Sequence, residues 1–263
     1  MRVSHEVFKS LFKQSNKFND FDYALVPCLG DEEYINFYKS QSDRGREVWL
    51  DNGVFEKGIS ASIEGILQGI CLIRPTHVVA PDVLHNGPET IKNLQKFVKK
   101  VKNFDIKVVG VAQGATEKEF INCYREVDKI ADVIAIPYDV GFYNKYLGTT
   151  TKRYVLARQT IIDRLILGGE INRGKRHHLL GCSDPIEFIR YRDKPFTYDF
   201  IESLDTSCPI VAGYNLIELT EEGLAEEKPR MLIAENLDIR LGRKQQQIIN
   251  KNINIFAKIV GKK

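Results

Sequence analysis

No Cys-x-x-Cys occurs in the 263 residues, and the five cysteines, Cys28, Cys71, Cys123, Cys182 and Cys208, are scattered and odd in number. That spacing offers neither a structural zinc site nor a disulfide framework. Most of them stand in apolar runs, where a free thiol behaves as a small hydrophobe and fits a reducing compartment. The N-terminal Met1-Arg2-Val3-Ser4-His5-Glu6 lacks the apolar core of a signal peptide, and no uninterrupted apolar run is long enough to span a bilayer. A cytoplasmic chain with no membrane partner is therefore expected. Neither a Walker A sequence nor a Gly-x-Gly-x-x-Gly after the first strand candidate is present, which weakens a nucleotide-binding reading. With no repeat, linker or low-complexity stretch, residues 1–263 read as one domain. A net charge of +3 is too small to mark a nucleic-acid binder by itself. The basic stretch at 92–102 and the basic C-terminus read first as solvated helix faces.

What the chain does have is a recurring pattern. In Glu47-Val48-Trp49-Leu50-Asp51-Asn52-Gly53-Val54-Phe55 a short apolar run ends in an acid, an amide and a glycine. Val78-Val79-Ala80-Pro81-Asp82, Val108-Val109-Gly110-Val111-Ala112-Gln113-Gly114 and Ser203-Leu204-Asp205 follow the same rule. Strands are expected at 22–27, 48–51, 78–82, 107–112, 133–138, 178–182, 200–205 and 231–234, mostly separated by amphipathic helices. Val7, Phe8, Leu11 and Phe12 place a helix over 3–13, and Thr116-Glu117-Lys118-Glu119 reads as a capping box. Parallel strands need crossovers, and helices supply them. Eight such units favour a (β/α)8 barrel of the TIM type, with a doubly wound open sheet as the alternative.

In a parallel barrel the polar residues that close the strands converge on one face. That face would receive Asp51, Asn52, Asp82, Gln113, Tyr138, Asp139, Ser183 and Asp205. Taken singly, each has an ordinary explanation: Asp51 as turn chemistry, Asp82 and Asp205 as helix caps, Gln113-Gly114 as a strand exit. Taken together they make a set of carboxylates and amides without histidine, cysteine or lysine. Such a set does not suit a serine or cysteine hydrolase, which needs a base beside its nucleophile. It suits an oxygen-ligand site for a hard metal, or glycosidic chemistry in which one carboxylate attacks and another manages protons.

Five motifs, in order, resemble a known family. Leu50-Asp51-Asn52-Gly53-Val54-Phe55, Ala80-Pro81-Asp82, Gly110-Val111-Ala112-Gln113-Gly114, Leu179-Leu180-Gly181-Cys182-Ser183-Asp184-Pro185 and Ser203-Leu204-Asp205-Thr206-Ser207-Cys208-Pro209 follow one another as in the tRNA-guanine transglycosylases. The resemblance covers roughly residues 47–215. It implies a barrel that exchanges guanine for a 7-deazaguanine base and needs no cofactor. Asp205 falls at the family's nucleophile and Asp51 at its general acid/base. Phe55 falls at the aromatic that stacks on the base, while Asp82 and Gln113 fall at the groups that bond the base edge. Asn52, Gly114 and Tyr138 complete the implied substrate-binding set. Ile136-Pro137-Tyr138 replaces a Gly-Gly pair, and the proline removes one amide donor.

A second departure concerns zinc. The tRNA enzymes carry Cys-x-Cys-x-x-Cys and a histidine near the C-terminus, whereas here no cysteine follows Cys208 and no histidine follows His178. The chain is thus more similar to the compact, zinc-less phage and bacterial members that insert 7-deazaguanines into DNA. The implied partners are DNA, before tRNA, and a free base such as 7-cyano-7-deazaguanine. Lys145, Lys152, Arg153 and Arg158 are the expected phosphate contacts. A base-releasing N-glycosidase and a non-catalytic nucleic-acid-binding barrel are the rival readings.

Overall fold

The computed structural model describes residues 1–144, 147, 152–225 and 227–262. Eight parallel strands form one sheet in the order β1-β8-β7-β6-β5-β4-β3-β2, and it curls into a nearly closed barrel. The strands are β1 (Arg2–His5), β2 (Asp22–Leu25), β3 (Val48–Asp51), β4 (His77–Val79), β5 (Lys107–Val111), β6 (Val133–Pro137), β7 (Arg176–Leu180) and β8 (Ile201–Thr206). Helices Glu32–Asp43, Ile63–Ile73, Gly87–Val101, Glu117–Ile130, Lys152–Leu167, Glu187–Asp193, Cys208–Tyr214 and Arg243–Ile259 form the outer layer. None of the helices among the described residues is long and apolar enough to cross a membrane.

Two expectations about strands are corrected. The segment expected to be a helix at 3–13 opens as β1, which pairs with β8 (Ser4 opposite Asp205), and only Lys9–Leu11 and Phe12–Ser15 coil after it. Conversely, 231–234 is not a strand: it lies as irregular chain leading into a 3-10 turn at Ile233–Glu235. Ile233 from this run and the nearby Leu237 lie beside Glu6, Tyr23 and Leu25 at one end of the barrel. Burial, not sheet pairing, accounts for that apolar run.

The seam between β1 and β2 has no strand ladder. It is closed by Asn19, whose side chain accepts from His5 N (2.8 Å) and donates to His5 O (3.0 Å). Beside it Asp20 N donates to Val3 O (2.9 Å). Helix starts obey capping chemistry, with one change from expectation. Ser62 caps Ile63–Ile73 by accepting from Gly65 N. Thr116 accepts from Glu119 N, but the Glu119 carboxylate leaves the capping box and accepts from Gly87 N (2.7 Å) on the neighbouring helix.

The outward faces of the strands are ordinary: Val78, Val108, Ile134, Leu179 and Leu204 pack under the helices. The barrel interior is not. Trp49 stacks on His77 (4.6 Å between centroids) and meets His178 at 4.5 Å, while Tyr23 stacks on His178 at 6.0 Å. Below them Trp49 Nε1 donates to Glu47 (2.7 Å), which also accepts two bonds from Arg2, and Arg176 pairs with Glu202 (2.5 Å). A β-bulge makes room for this floor. His177 faces Ile201 and His178 faces Ser203, so Glu202 is an extra residue on β8.

Candidate functional site

The carboxyl ends of the strands meet at the barrel mouth. β3 delivers Asp51 and then turns sharply through Gly53, whose φ of +75° is left-handed, and a Cβ there would run into the Pro27 ring. The turn is tied locally, since Asp51 Oδ2 accepts from Gly53 N (3.1 Å) and Asn52 Oδ1 accepts from Val54 N (2.9 Å). Turn chemistry at Asp51 is therefore real, but it is not all. Tyr23 Oη donates to Asp51 Oδ1 at 3.3 Å. Burial first, then the charges of Glu56 and Asp205, push the Asp51 carboxyl well above the usual range, with the Gly53 N–H pulling the other way.

Asn52 turns across to the next strand. Its amide donates to Ala80 O (2.8 Å) and to Asp82 Oδ1 (2.7 Å), while Gln113 Nε2 donates to Asp82 Oδ2 (2.7 Å). Gln113 Oε1 accepts from His85 N (3.1 Å). Asp82 is thus a buried carboxylate clamped by two amides. Burial raises its pKa, and the two amide bonds oppose the rise. Asp51, Asn52, Asp82 and Gln113 do come together as the strand ends suggest. Gly114 lies against the first turn of Glu117–Ile130, where a Cβ would meet Phe120 N, so packing alone explains the glycine.

On the other side of the mouth, both contacts of Asp205 fall on Oδ1: Gly181 N donates to it (3.1 Å) and His178 Nε2 lies 3.0 Å away. His178 Nδ1 is in turn 2.9 Å from Ser203 Oγ. Among the described residues, Oδ2 takes no hydrogen bond. The expectation of a set without histidine or lysine is therefore corrected. His178 touches Asp205, and Lys228 donates to Ser207 Oγ (2.9 Å) while its charge acts on Glu6. His178 escaped notice because it reads as part of an apolar strand; the alternation Arg176, His178, Leu180 on one face is the signal for it.

Glu6 and Glu56 were also missed. Glu6 follows β1 and was hidden by the misread strand. Its carboxyl is pushed up to about 8, by burial and then by Asp205, against the pull of Lys228. Glu56, one turn past Asp51, is likewise pushed up to about 8 by burial and then by Glu6. A folded glutamate that keeps its proton to about pH 8 binds more protons than an unfolded one, which loses it near 4.5. Its contribution to stability is complete below about 4.5 and is lost as the pH rises through 8. Glu56→Gln is therefore expected to raise the melting temperature at pH 8 by roughly 2–4 °C, the equivalent of about 1 kcal/mol, and to leave it nearly unchanged at pH 4.5. Melts at the two pH values check this, and equal shifts at both would refute the assignment.

Tyr138 follows β6 and forms an edge contact with Phe55 (5.6 Å) and a tilted one with Tyr154 (5.3 Å). Phe55 is 55% exposed. Arg153 lies over Tyr154 at 4.8 Å, and Lys152 is exposed beside it. Lys145 lies outside the described residues. Arg158 requires a correction, because its side chain is 0% exposed and no phosphate can reach it. It makes a two-pronged pair with Glu187 (2.7 Å for each prong) and donates to Leu180 O and Gly181 O (2.9 Å each). Ser183 is buried, and Asp184 accepts from Ile186 N (3.1 Å), a local turn. Among the described residues, no group of three His, Cys, Asp or Glu is placed to hold a metal ion.

No family model matches this chain, and no curated protein matches it by sequence. Among solved structures it is similar to the X-ray crystal structure of the YdjI aldolase from Escherichia coli K12, with a TM-score of 0.53 and 11% identity. The match covers 99% of this chain and 91% of that one. What is shared is the barrel. At that identity the likeness says nothing of which residues act or on what.

Proposed function

We propose that this protein is a transglycosylase that exchanges a guanine of DNA for a free 7-deazaguanine base through a covalent aspartyl–sugar intermediate. The observation that carries the reading is the pairing, at one barrel mouth, of two unlike carboxyls. Asp205 is held on Oδ1, with no hydrogen bond on Oδ2 among the described residues, and burial and its neighbours push the Asp51 carboxyl well above the usual range. Carboxyls whose environments differ in this way suit the roles of nucleophile and acid.

In this reading Asp205 Oδ2 attacks C1′, the bond to the guanine nitrogen breaks, and Asp51 gives its proton to the departing base. The incoming base returns a proton to Asp51 as its nitrogen displaces the ester, so nothing is hydrolysed. Asp82, pre-set by Asn52 and Gln113, accepts from the N–H groups of the base edge with the lone pairs its clamp leaves over. Phe55 provides the stacking face, which a base extruded from a duplex requires. Lys152 and Arg153 are the phosphate contacts in this proposal.

The deciding experiment is incubation with labelled 7-cyano-7-deazaguanine and either DNA or tRNA. Label is expected in DNA. Label in tRNA alone would make it a tRNA enzyme, and release of guanine without incorporation would make it an N-glycosidase. For the base pocket, Asp82→Ala is expected to weaken capture of the free base by about 5- to 150-fold, the effect of 1–3 kcal/mol from a buried group left unpaired. Gln113→Ala should act in the same direction through Asp82. DNA affinity should stay unchanged in both, whereas Lys152→Ala and Arg153→Ala should lower it with a shallower salt dependence. Normal base binding by the Asp82 variant would remove it from the pocket.

A further inference from the structure

The chain Ser203, His178, Asp205 has the composition of a serine hydrolase triad but the opposite order. Ser203 Oγ is 2.9 Å from His178 Nδ1, and His178 Nε2 is 3.0 Å from Asp205 Oδ1. On β8 Ser203 is two residues nearer the barrel floor than Asp205, and it is 2% exposed. Its hydroxyl lies beneath the imidazole, out of reach of a substrate at the mouth. The carboxylate stands where a hydrolase would present its hydroxyl.

The ring between them is fixed on every side. His178 is 0% exposed, meets Trp49 at 4.5 Å and stacks on Tyr23 at 6.0 Å with 14° between planes. Asp205 then selects the tautomer. A carboxylate oxygen that only accepts holds the proton of the neutral ring on Nε2, and the Ser203 hydroxyl, which can donate or accept, adapts by donating to Nδ1. Gly181 adds the second donor to the same oxygen, and its left-handed φ of +68°, with the Tyr138 ring close alongside, disfavours a side chain there. Two donors on Oδ1 pin the rotation of the carboxylate and present Oδ2 to the mouth.

We propose that His178, supported from beneath by Ser203, is the positioning residue of Asp205, a triad run in reverse with the carboxylate as its outermost member. The inference rests on Asp205 being the nucleophile of the proposed exchange. Tyr23 extends it, because the ring that stacks on His178 also donates to Asp51, so one support aligns both carboxyls.

The test has an arm that needs no substrate. Nitrogen-15 spectra of the free protein should show His178 as a single Nε2–H tautomer, retained in Ser203→Ala, and as a mixture in Asp205→Ala, where only the hydroxyl, which can donate or accept, remains. A mixture in the unaltered protein would overturn the proposal whatever its activity. The second arm is kinetic. His178→Leu is expected to lower kcat by roughly 100-fold, the scale of a misplaced reacting group, with KM for the free base unchanged. His178→Gln, whose amide nitrogen can occupy the place of Nε2, should recover most of that loss. Ser203→Ala should cost only about 2- to 12-fold, the worth of one neutral hydrogen bond. An unaltered kcat in His178→Leu, or a sugar adduct mapped to Ser203, would defeat the inference. Absence of any exchange by the unaltered protein would defeat instead the functional reading beneath it, leaving the tautomer result standing.

Discussion

Asp205→Asn is expected to leave the barrel folded and to abolish base exchange, by on the order of 10⁴-fold or more, the scale seen when a covalent nucleophile is removed. The amide is isosteric with the carboxylate, and its oxygen can still accept from Gly181 N and from His178. It cannot form the glycosyl ester. The measurement is incorporation of labelled deazaguanine, with denaturing electrophoresis for a protein–DNA adduct when no incoming base is supplied and circular dichroism as the fold control. Adduct formation by Asp205→Asn would place the nucleophile elsewhere, and Asp51 would be the first alternative. In contrast, Asp51→Asn should still permit slow adduct formation when the leaving base is already activated, because that step needs only the nucleophile.

The largest effect on stability is expected at Arg158. Its guanidinium and the Glu187 carboxylate are both buried, and Tyr191 Oη adds a bond to Glu187 at 3.0 Å. Arg158→Met would strand that carboxylate inside the protein, at a cost of about 3–5 kcal/mol, which lowers the melting temperature by roughly 6–20 °C in a chain of this size. Replacing both partners, Arg158→Met with Glu187→Leu, should recover much of the loss, because an apolar pair has no charge to desolvate. The salt dependence of DNA binding should be the same in the double variant as in the unaltered protein. A shallower dependence would return Arg158 to the set of phosphate contacts.

The two residues also mark where the sequence could and could not be read. Asp205 was legible because a parallel barrel brings every strand's carboxyl end to one face, so an acid at the end of an apolar run has a known destination. Asp51, Asp82 and Gln113 were legible for the same reason. Arg158 was not, because a lone arginine on a helix reads as surface, and its partner Glu187 is 29 residues away on another helix. β1 was lost to a different cause. Ser4 and His5 are polar residues in a four-residue strand whose partner lies some two hundred residues on, while Val7, Phe8, Leu11 and Phe12 repeat at helical spacing nearby. With β1 went Glu6. The apolar run at 231–234 makes the eighth strand in the sequence pattern, since periodicity does not separate a strand from a buried loop.

The aromatic and imidazole filling of the barrel has a consequence for engineering. In many barrels the interior is branched aliphatic packing, and it can be repacked without touching the chemistry at the top. Here Tyr23, Trp49 and His178 are at once the core and the bed on which Asp51 and Asp205 rest. Under the proposed exchange, substitution scans for thermostability and for activity should therefore converge on the same positions, and gains free of a catalytic penalty must be sought on the outer face of the sheet. Val78, Val108 and Ile134 pack there under the helices, away from Asp51 and Asp205.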